Sequence, residues 1–270
     1  LGLEESWRFA RGEEVTSSTG IRVKLSRPLD WMAIADHSDQ MGFAGDIIKG
    51  APEVMKSVQG RKWATAMSKG GQNSVDAAFD LVYTFAQGRM DPYLTETYSP
   101  GSTKFDSVWQ KMVKAADHYN DPGHFTAFIG YECTSLANGR NLHRNVIFRD
   151  GGDKVSQIVP FTVVEPFGSP DPLKLYEWME SYESKTGGSA LAIAHNGNLS
   201  NGIMFPVGKQ FTGRKLDKFY VESRAKWEPL YEVTQIKGDG EAHPFLSSDD
   251  EFADFHTWDK GSLDASVNKT

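Results

Sequence analysis

Four residues with metal-binding side chains stand at the borders of apolar segments in this chain. His37, Glu132 and His195 each end or directly follow such a segment, and His143 opens a short β-rich segment after a turn. Imidazole nitrogens and carboxylate oxygens are ligands that suit zinc, manganese or iron. Each residue alone has a simpler interpretation, such as a surface histidine beside a strand. The shared position of all four favours one common metal site.

The pair Asp36-His37 illustrates the simpler interpretation. Adjacent residues on a strand point to opposite faces, so only one of these two side chains can face a shared pocket. Taken alone, the pair favours a helix N-terminus, with Asp36 or Ser38 as the N-cap and a helical turn from Gln40. The hypothesis that His37 binds a metal therefore depends on the similar positions of Glu132, His143 and His195.

Segment 189–194 carries the clearest information on the elements that must position these residues. It is uninterrupted and apolar, and it lies between Gly187-Gly188 and the turn-forming residues Asn196-Gly197-Asn198. Such a segment is typical of a strand buried on both faces, and hence of a parallel sheet covered by helices. His195 then lies at the carboxyl end of its strand, where ligands collect in α/β sheets and barrels.

Helices are predicted on both sides of this strand. Asp171 followed by Pro172 is typical of a helix start, and Gly187 supplies a left-handed C-terminal cap. A second helix over about 214–226 precedes a predicted strand over 230–236. The alternation of helix and strand predicts an α/β fold.

Composition limits the class of protein. A chain of 270 residues with 39% hydrophobic and 24% charged residues is typical of a globular protein, and we expect one domain over residues 1–270. The net charge of −7 argues against a general nucleic-acid binder but permits a local basic pocket for an anion. No segment resembles a membrane span or a signal peptide. The compartment and the oligomeric state do not follow from the sequence.

Nucleophilic catalysis by a side chain is not indicated. Cys133 is the single cysteine, which excludes an internal disulfide, and we expect it to be a small core residue rather than a nucleophile. The chain contains no Gly-x-Ser-x-Gly elbow, phosphate loop or His-Glu-x-x-His helix. The candidate metal ligands remain the main indication of chemistry.

Five motifs surround the candidate residues. They are Ala-Asp-His at 35–37, Gly-Tyr-Glu at 130–132, Asn-Leu-His-Arg-Asn at 141–145, His-Asn-Gly-Asn at 195–198 and Gln-Ile-Lys-Gly-Asp-Gly-Glu-Ala-His-Pro at 235–244. Over nearly the whole chain they resemble the family described as domain of unknown function 3604. That family is similar to the polymerase-and-histidinol-phosphatase (PHP) superfamily of metal-dependent phosphoesterases.

The resemblance implies a fold and a ligand set. The fold is an α/β structure, a distorted (β/α)7 PHP-like barrel, with two or three divalent ions (zinc, manganese or iron) at the carboxyl ends of its strands. By motif match, the implied metal ligands are His37, Glu132, His143 and His195. Glu132 occupies the position that bridges two ions in such sites.

The sequence departs from the superfamily pattern near both ends. A His-x-His pair on the first strand and an Asp-x-His pair on the last strand are missing from their expected places. Glu241-Ala242-His243 has a similar spacing, but it directly follows the strand predicted over 230–236, so we interpret it as a substrate-binding or supporting element. We therefore expect an internal fragment of a longer protein, with a barrel that is incomplete at both ends.

The resulting prediction is a metal-dependent hydrolase that acts on a small anionic ester. A phosphoester is the favoured substrate, and a metal-activated water is the nucleophile. Catalytic roles are assigned to Asp36, Arg144 and Glu241: Asp36 or Glu241 orients a ligand histidine, and Arg144 or Lys237 meets the substrate charge. Substrate binding is assigned to Arg140, Asn196, Lys237 and His243.

Two alternatives remain open at this point. The same metals can serve a hydrolase or lyase that acts on a sulfate or carboxylic ester. Alternatively, the chain is a non-catalytic binding module whose metal site has decayed, as the missing ligand pairs would suggest. In each case we expect neither nucleic acid nor a membrane as a partner.

Overall fold

A five-stranded mixed sheet positions the candidate site in the computed structural model, which describes residues 1–258 and Ser262. The described strands are β1 (Val15–Thr16), β2 (Arg22–Val23), β3 (Trp31–Ile34), β4 (Thr126–Cys133), β5 (Leu136–Ala137), β6 (Arg140–Asn141), β7 (Arg144–Phe148), β8 (Ala190–Ala194), β9 (Leu230–Tyr231), β10 (Thr234–Gln235) and β11 (Gly238–Asp239). The described helices are α1 (Leu3–Ala10), α2 (Phe43–Lys49), α3 (Pro52–Lys56), α4 (Val58–Ser68), α5 (Gly71–Ala86), α6 (Pro92–Thr97), α7 (Thr103–Tyr119), α8 (Gly152–Val155), α9 (Pro172–Thr186) and α10 (Lys218–Trp227). A 3-10 turn covers Gly197–Leu199.

The strand order of the main sheet is β3-β4-β7-β8-β9. β3 is parallel to β4, β8 is parallel to β9, and β7 is antiparallel to both of its neighbours. A parallel connection needs a long crossover, whereas antiparallel strands can follow a short loop. The chain supplies crossover helices α2–α7 before β4 and α10 before β9, but residues 134–143 contain only the β5–β6 hairpin.

These strand directions show that the predicted (β/α)7 barrel and its all-parallel sheet are wrong. The described residues form an open five-stranded mixed sheet and three separate two-stranded sheets. The reversal at β7 has a local cause: Asn138 and Gly139 both have positive φ and connect β5 to β6 directly. Asn-Gly is the preferred pair for such two-residue hairpins. The chain therefore returns along β4 instead of crossing over through a helix.

Helix α9 confirms the prediction from its capping residues. It begins at Pro172, and the Asp171 side chain accepts a hydrogen bond from the Leu173 amide. It ends before Gly187, which has φ of 64°, the left-handed conformation that glycine adopts without strain. Both caps involve contacts within a few residues, which explains why the local sequence predicts them.

Two other local predictions are wrong. Helix α2 begins at Phe43, after Gly42, so neither Asp36 nor Ser38 caps a helix. The strand predicted over 230–236 is limited in the main sheet to Leu230–Tyr231. The helix begins later than predicted, and Thr234–Gln235 pair with β11 in a separate two-stranded sheet.

Two core clusters support this arrangement. The larger one packs the sheet against α7 and α9 and contains many aromatic side chains, among them Trp109, Tyr131 and Phe148. The second one joins α2 to α4 and α6 through Phe43, Trp63 and neighbouring residues. Because each cluster is buried, both the sheet edge and the α2–α5 region are held in place by hydrophobic packing.

Cys133 is buried in the larger cluster, as predicted. Burial raises the pKa of its thiol far above the usual value. A thiol that stays protonated is a poor nucleophile. Among the described residues, no helix combines the length and the apolar character required to cross a membrane.

Candidate metal centre

One edge of the main sheet carries the four predicted ligands. Glu132 lies near the carboxyl end of β4, while His37 and His195 follow β3 and β8 within a few residues. His143 directly precedes β7. Because β7 runs opposite to β4 and β8, its amino end lies at the same edge as their carboxyl ends. His143 therefore lies at the same sheet edge as Glu132 and His195, although its strand runs in the opposite direction.

Backbone hydrogen bonds extend the sheet to these residues. His37 forms a parallel bridge with Glu132, and the Ser38 amide donates to the Glu132 carbonyl over 2.7 Å. On the other side, the His195 amide donates to the His143 carbonyl over 3.0 Å. The ligands are thus positioned by the sheet ladder rather than by free loops.

The side chains converge on the Glu132 carboxylate. His143 Nδ1 is 2.8 Å from Glu132 Oε1, and His37 Nδ1 is 3.5 Å from Oε2. Ligand atoms of His37, Glu132 and His143 all lie within 4.8 Å of one another, so these three residues can hold a metal ion. His195 is outside that group, although its Nε2 lies 3.6 Å from Glu132 Oε1. Its role as a ligand stays a prediction.

The protonation states suit a cation. Burial opposes ionisation of Glu132, but the hydrogen bond from His143 and the nearby histidines outweigh it and lower the Glu132 pKa to about 2. Burial lowers the His143 pKa to about 4, against the opposing effect of Glu132. At neutral pH the carboxylate is therefore ionised and His143 is neutral, as metal coordination requires.

The donor set also leaves a coordinating atom available. His143 is 5% exposed, and with Nδ1 bound to Glu132 its Nε2 is buried without a hydrogen-bond partner. A buried polar atom without a partner costs free energy unless something binds it. Two imidazoles and one carboxylate form a typical donor set for zinc, manganese or iron. The residues present fit a divalent cation.

Residues outside the metal group hold His195 in place. The Glu232 carboxylate forms a short contact with His195 Nδ1, which leaves Nε2 facing Glu132. Asn141 Nδ2 donates to the carbonyls of His195 and Asn196 over 2.5 and 2.9 Å. A carboxylate on the second nitrogen of a histidine orients the ring. Glu232 and Asn141 were not predicted as site residues, because the contacts join residues 37 and 54 positions apart.

The ligands line a cleft of about 290 Å³. Two predicted substrate-binding residues, Asn196 and Lys237, also line it. Asn196 is 2% exposed, and its Oδ1 is buried without a hydrogen-bond partner. The cleft therefore combines a metal-binding group with a cationic side chain, which together are suited to an anionic ligand.

Besides Arg144, four predicted residues do not line this cleft. Asp36 binds the Glu132 amide through its backbone carbonyl, and burial raises the pKa of its carboxyl group, with His37 opposing. Arg140 lies on strand β6 of the hairpin. Glu241 is exposed, and His243 lines a separate depression beside Tyr231. Asp36 thus lies within electrostatic reach of His37 and Glu132, whereas the structure does not bring Arg140, Glu241 and His243 to the metal group.

Arg144 lies in the protein interior instead of facing a substrate. Its Nε donates to Glu228 Oε1 over 2.7 Å, and both side chains are 2% exposed. Adjacent residues on a strand face opposite sides, so His143 reaches the cleft while Arg144 points toward α9 and α10. Glu228 already compensates the guanidinium charge, which corrects the expectation that Arg144 meets the substrate.

Two residues of the cleft, Asp39 and Thr134, were not predicted from the sequence. Asp39 lines the cleft and is 5% exposed, and burial raises its pKa to about 7 although the Val163 amide donates to its carboxylate. Thr134 contacts His37 Nδ1 over 3.1 Å. The available signal for Asp39 was the polar run Asp36-His37-Ser38-Asp39 directly after an apolar segment. Because that run was interpreted as a helix N-terminus, Asp39 was not predicted as a site residue.

Comparison with known proteins adds one finding. The model of the family described as protein of unknown function (DUF3604) matches residues 1–270. No curated protein and no solved structure gives a significant match.

Proposed function

Because the chain belongs to the DUF3604 family, whose description assigns no activity, we propose from the geometry of the site that it is a metal-dependent hydrolase of anionic esters, with phosphoesters as the favoured substrates. The observation that carries this proposal is the convergence of His37, Glu132 and His143 in a cleft shared with Lys237. A divalent cation bound there supplies a nucleophilic water at neutral pH and neutralises charge on the ester oxygens.

The protein's own residues have separate tasks in this reaction. Glu132 keeps a negative charge at the centre of the three histidines, and Glu232 keeps the His195 ring oriented. In this proposal Lys237, which lines the cleft, donates hydrogen bonds to the non-bridging oxygens of the ester, which carry the negative charge. Asn196 lines the same cleft, and its Oδ1 can accept a hydrogen bond there.

The reaction consumes one water molecule. Its oxygen forms a new bond to phosphorus, the bond between phosphorus and the alcohol oxygen breaks, and the alcohol leaves with one proton. No covalent bond to the protein is needed. This agrees with the buried position of Cys133, the single cysteine of the chain.

Metal content and hydrolysis together test the proposal. The purified protein is loaded with Mn²⁺, Zn²⁺ or Fe²⁺ and assayed for bound metal by elemental analysis and for hydrolysis of 4-nitrophenyl phosphate. We expect stoichiometric metal and turnover that stops on chelation and returns when metal is restored. Turnover that survives complete removal of metal, or metal content no higher than background, would overturn it. Parallel assays of aryl sulfates and carboxylic esters identify the bond class.

Lys237 offers a second test of substrate binding. We expect Lys237→Met, which keeps the aliphatic stem, to raise KM for an aryl phosphate about 10- to 150-fold with kcat nearly unchanged, since a hydrogen bond to a charged group contributes about 1.5–3 kcal/mol. The control is Arg140→Met, because Arg140 lies outside the cleft. Steady-state kinetics measure both variants. Equal effects of the two substitutions would contradict the placement of the anion beside Lys237.

A further inference from the structure

One side of the metal cleft is apolar. Helices α2 and α5 contribute this side, here called the apolar wall, which consists of Phe43, Ala44, Leu81, Val82, Phe85 and Ala86. The wall belongs to the same cleft as His37, Glu132 and His143. A ligand held at the metal group therefore lies next to apolar side chains.

Core packing explains only part of the apolar wall. Phe43 belongs to the second core cluster, and Leu81 packs against it. Val82, in contrast, is 41% exposed. It is spaced from Phe85 and Ala86 by three and four residues, so the three side chains share one face of α5. This face offers apolar surface that the fold itself leaves uncovered.

The uncovered surface continues outward along α5. Phe79 and Val75 precede Val82 by three and seven residues on the helix, and they are 63% and 46% exposed. An apolar stripe thus leads from the outer surface of the helix into the cleft. Neither Phe79 nor Val75 lines the cleft itself.

We propose that the substrate is the anionic ester of an apolar alcohol, whose hydrocarbon part lies on Val82 and Phe85. This inference rests on the proposed hydrolase function. The metal group and Lys237 hold the anionic end, and the apolar wall covers the alcohol. A polar alcohol such as a sugar would place hydroxyl groups against side chains that cannot hydrogen-bond to them, which is unfavourable. A hydrocarbon group gains free energy from the same contact.

Binding of n-alkylphosphonates tests this inference without turnover, because their phosphorus–carbon bond is not hydrolysed. Ethyl-, butyl-, hexyl- and octylphosphonate are titrated by calorimetry into the manganese-loaded protein. We expect affinity to rise by up to about 4-fold for each added CH₂ that contacts the wall. Val82→Ser should weaken octylphosphonate binding about 5-fold and leave ethylphosphonate unchanged, because only the longer chain reaches residue 82.

Val75→Ser is the matched control. It makes the same change on the same helix at a similar exposure but outside the cleft, and it should leave the whole series unchanged. Equal affinities along the series, no binding at all, or equal effects of the two substitutions would each overturn the inference. A rising series without hydrolysis of octyl phosphate would instead overturn the hydrolase proposal and leave the apolar wall as a binding surface for hydrocarbon. Hydrolysis combined with a flat series would leave the hydrolase proposal standing and remove the apolar alcohol.

Discussion

Replacement of Glu132 by glutamine is expected to abolish metal binding and hydrolysis together while the fold stays intact. Glu132 contacts three histidines through its two oxygens and is ionised at neutral pH. Glutamine keeps the shape and one hydrogen-bond acceptor for His143 but removes the charge. Loss of an outer partner of a metal ligand costs about 10–100-fold in affinity, so loss of the ligand charge should cost at least about 100-fold.

Elemental analysis and hydrolysis of an aryl phosphate measure this result, and circular dichroism verifies the fold. Glu241→Gln is the control, because Glu241 is an exposed carboxylate that sequence analysis also assigned to catalysis. It should behave like the unchanged protein. A Glu132→Gln protein that retains full metal content would show that the ion binds elsewhere.

The second large effect is expected from Glu228→Gln, which should destabilise the fold by about 3–5 kcal/mol. Glu228 is 2% exposed and pairs with Arg144 at 2.7 Å and with Arg224 at 2.8 Å. The Tyr176 hydroxyl donates to Glu228 Oε1 over 2.6 Å. Glutamine preserves the volume but leaves a buried guanidinium without its counter-charge, and that uncompensated charge dominates the loss.

Urea denaturation measures the change in unfolding free energy, and Glu222→Gln on helix α10, which ends directly before Glu228, is its control. Glu222 is 65% exposed and pairs with Lys218 at 3.6 Å, and exposed pairs of this kind contribute about 0–1 kcal/mol. A Glu228→Gln protein as stable as Glu222→Gln would refute the assignment of Arg144 to this buried pair.

The pH dependence of stability gives an independent test of the Glu228 charge. Burial opposes its ionisation, but Arg144 and Arg224 outweigh this and hold the pKa below its ordinary value of 4.5. The contribution to stability is therefore complete above about pH 4.5 and decreases as the pH falls below it. The difference in stability between the unchanged protein and Glu228→Gln should shrink in acid.

Strand directions were the main error of prediction from sequence. An apolar segment that ends in a histidine indicates a strand but not its direction relative to a neighbour. The Asn138-Gly139 pair lies in the turn before His143, and the tight β5–β6 hairpin that it allows reverses the chain. The expectation of a shared edge survives for all four residues because the amino end of β7 meets the carboxyl ends of β4 and β8, and three of them form the metal group.

Long-range pairing explains the other differences. Whether Arg144 faces a substrate or the interior depends on Glu228, which is 84 positions away. Orientation of His195 depends on Glu232, and the apolar wall depends on how the α2–α5 region packs beside the sheet. No pattern within a single segment contains these relationships.

The sequence by itself determined the local features: the ends of the apolar segments at His37, Glu132 and His195, and the caps of α9. Each follows from residue order and from backbone contacts spanning a few residues. Only the tertiary structure decided which side chains meet, because strand direction and helix packing join residues far apart in the chain. It brought Glu132 together with His37 and His143, and it placed this group beside an apolar surface.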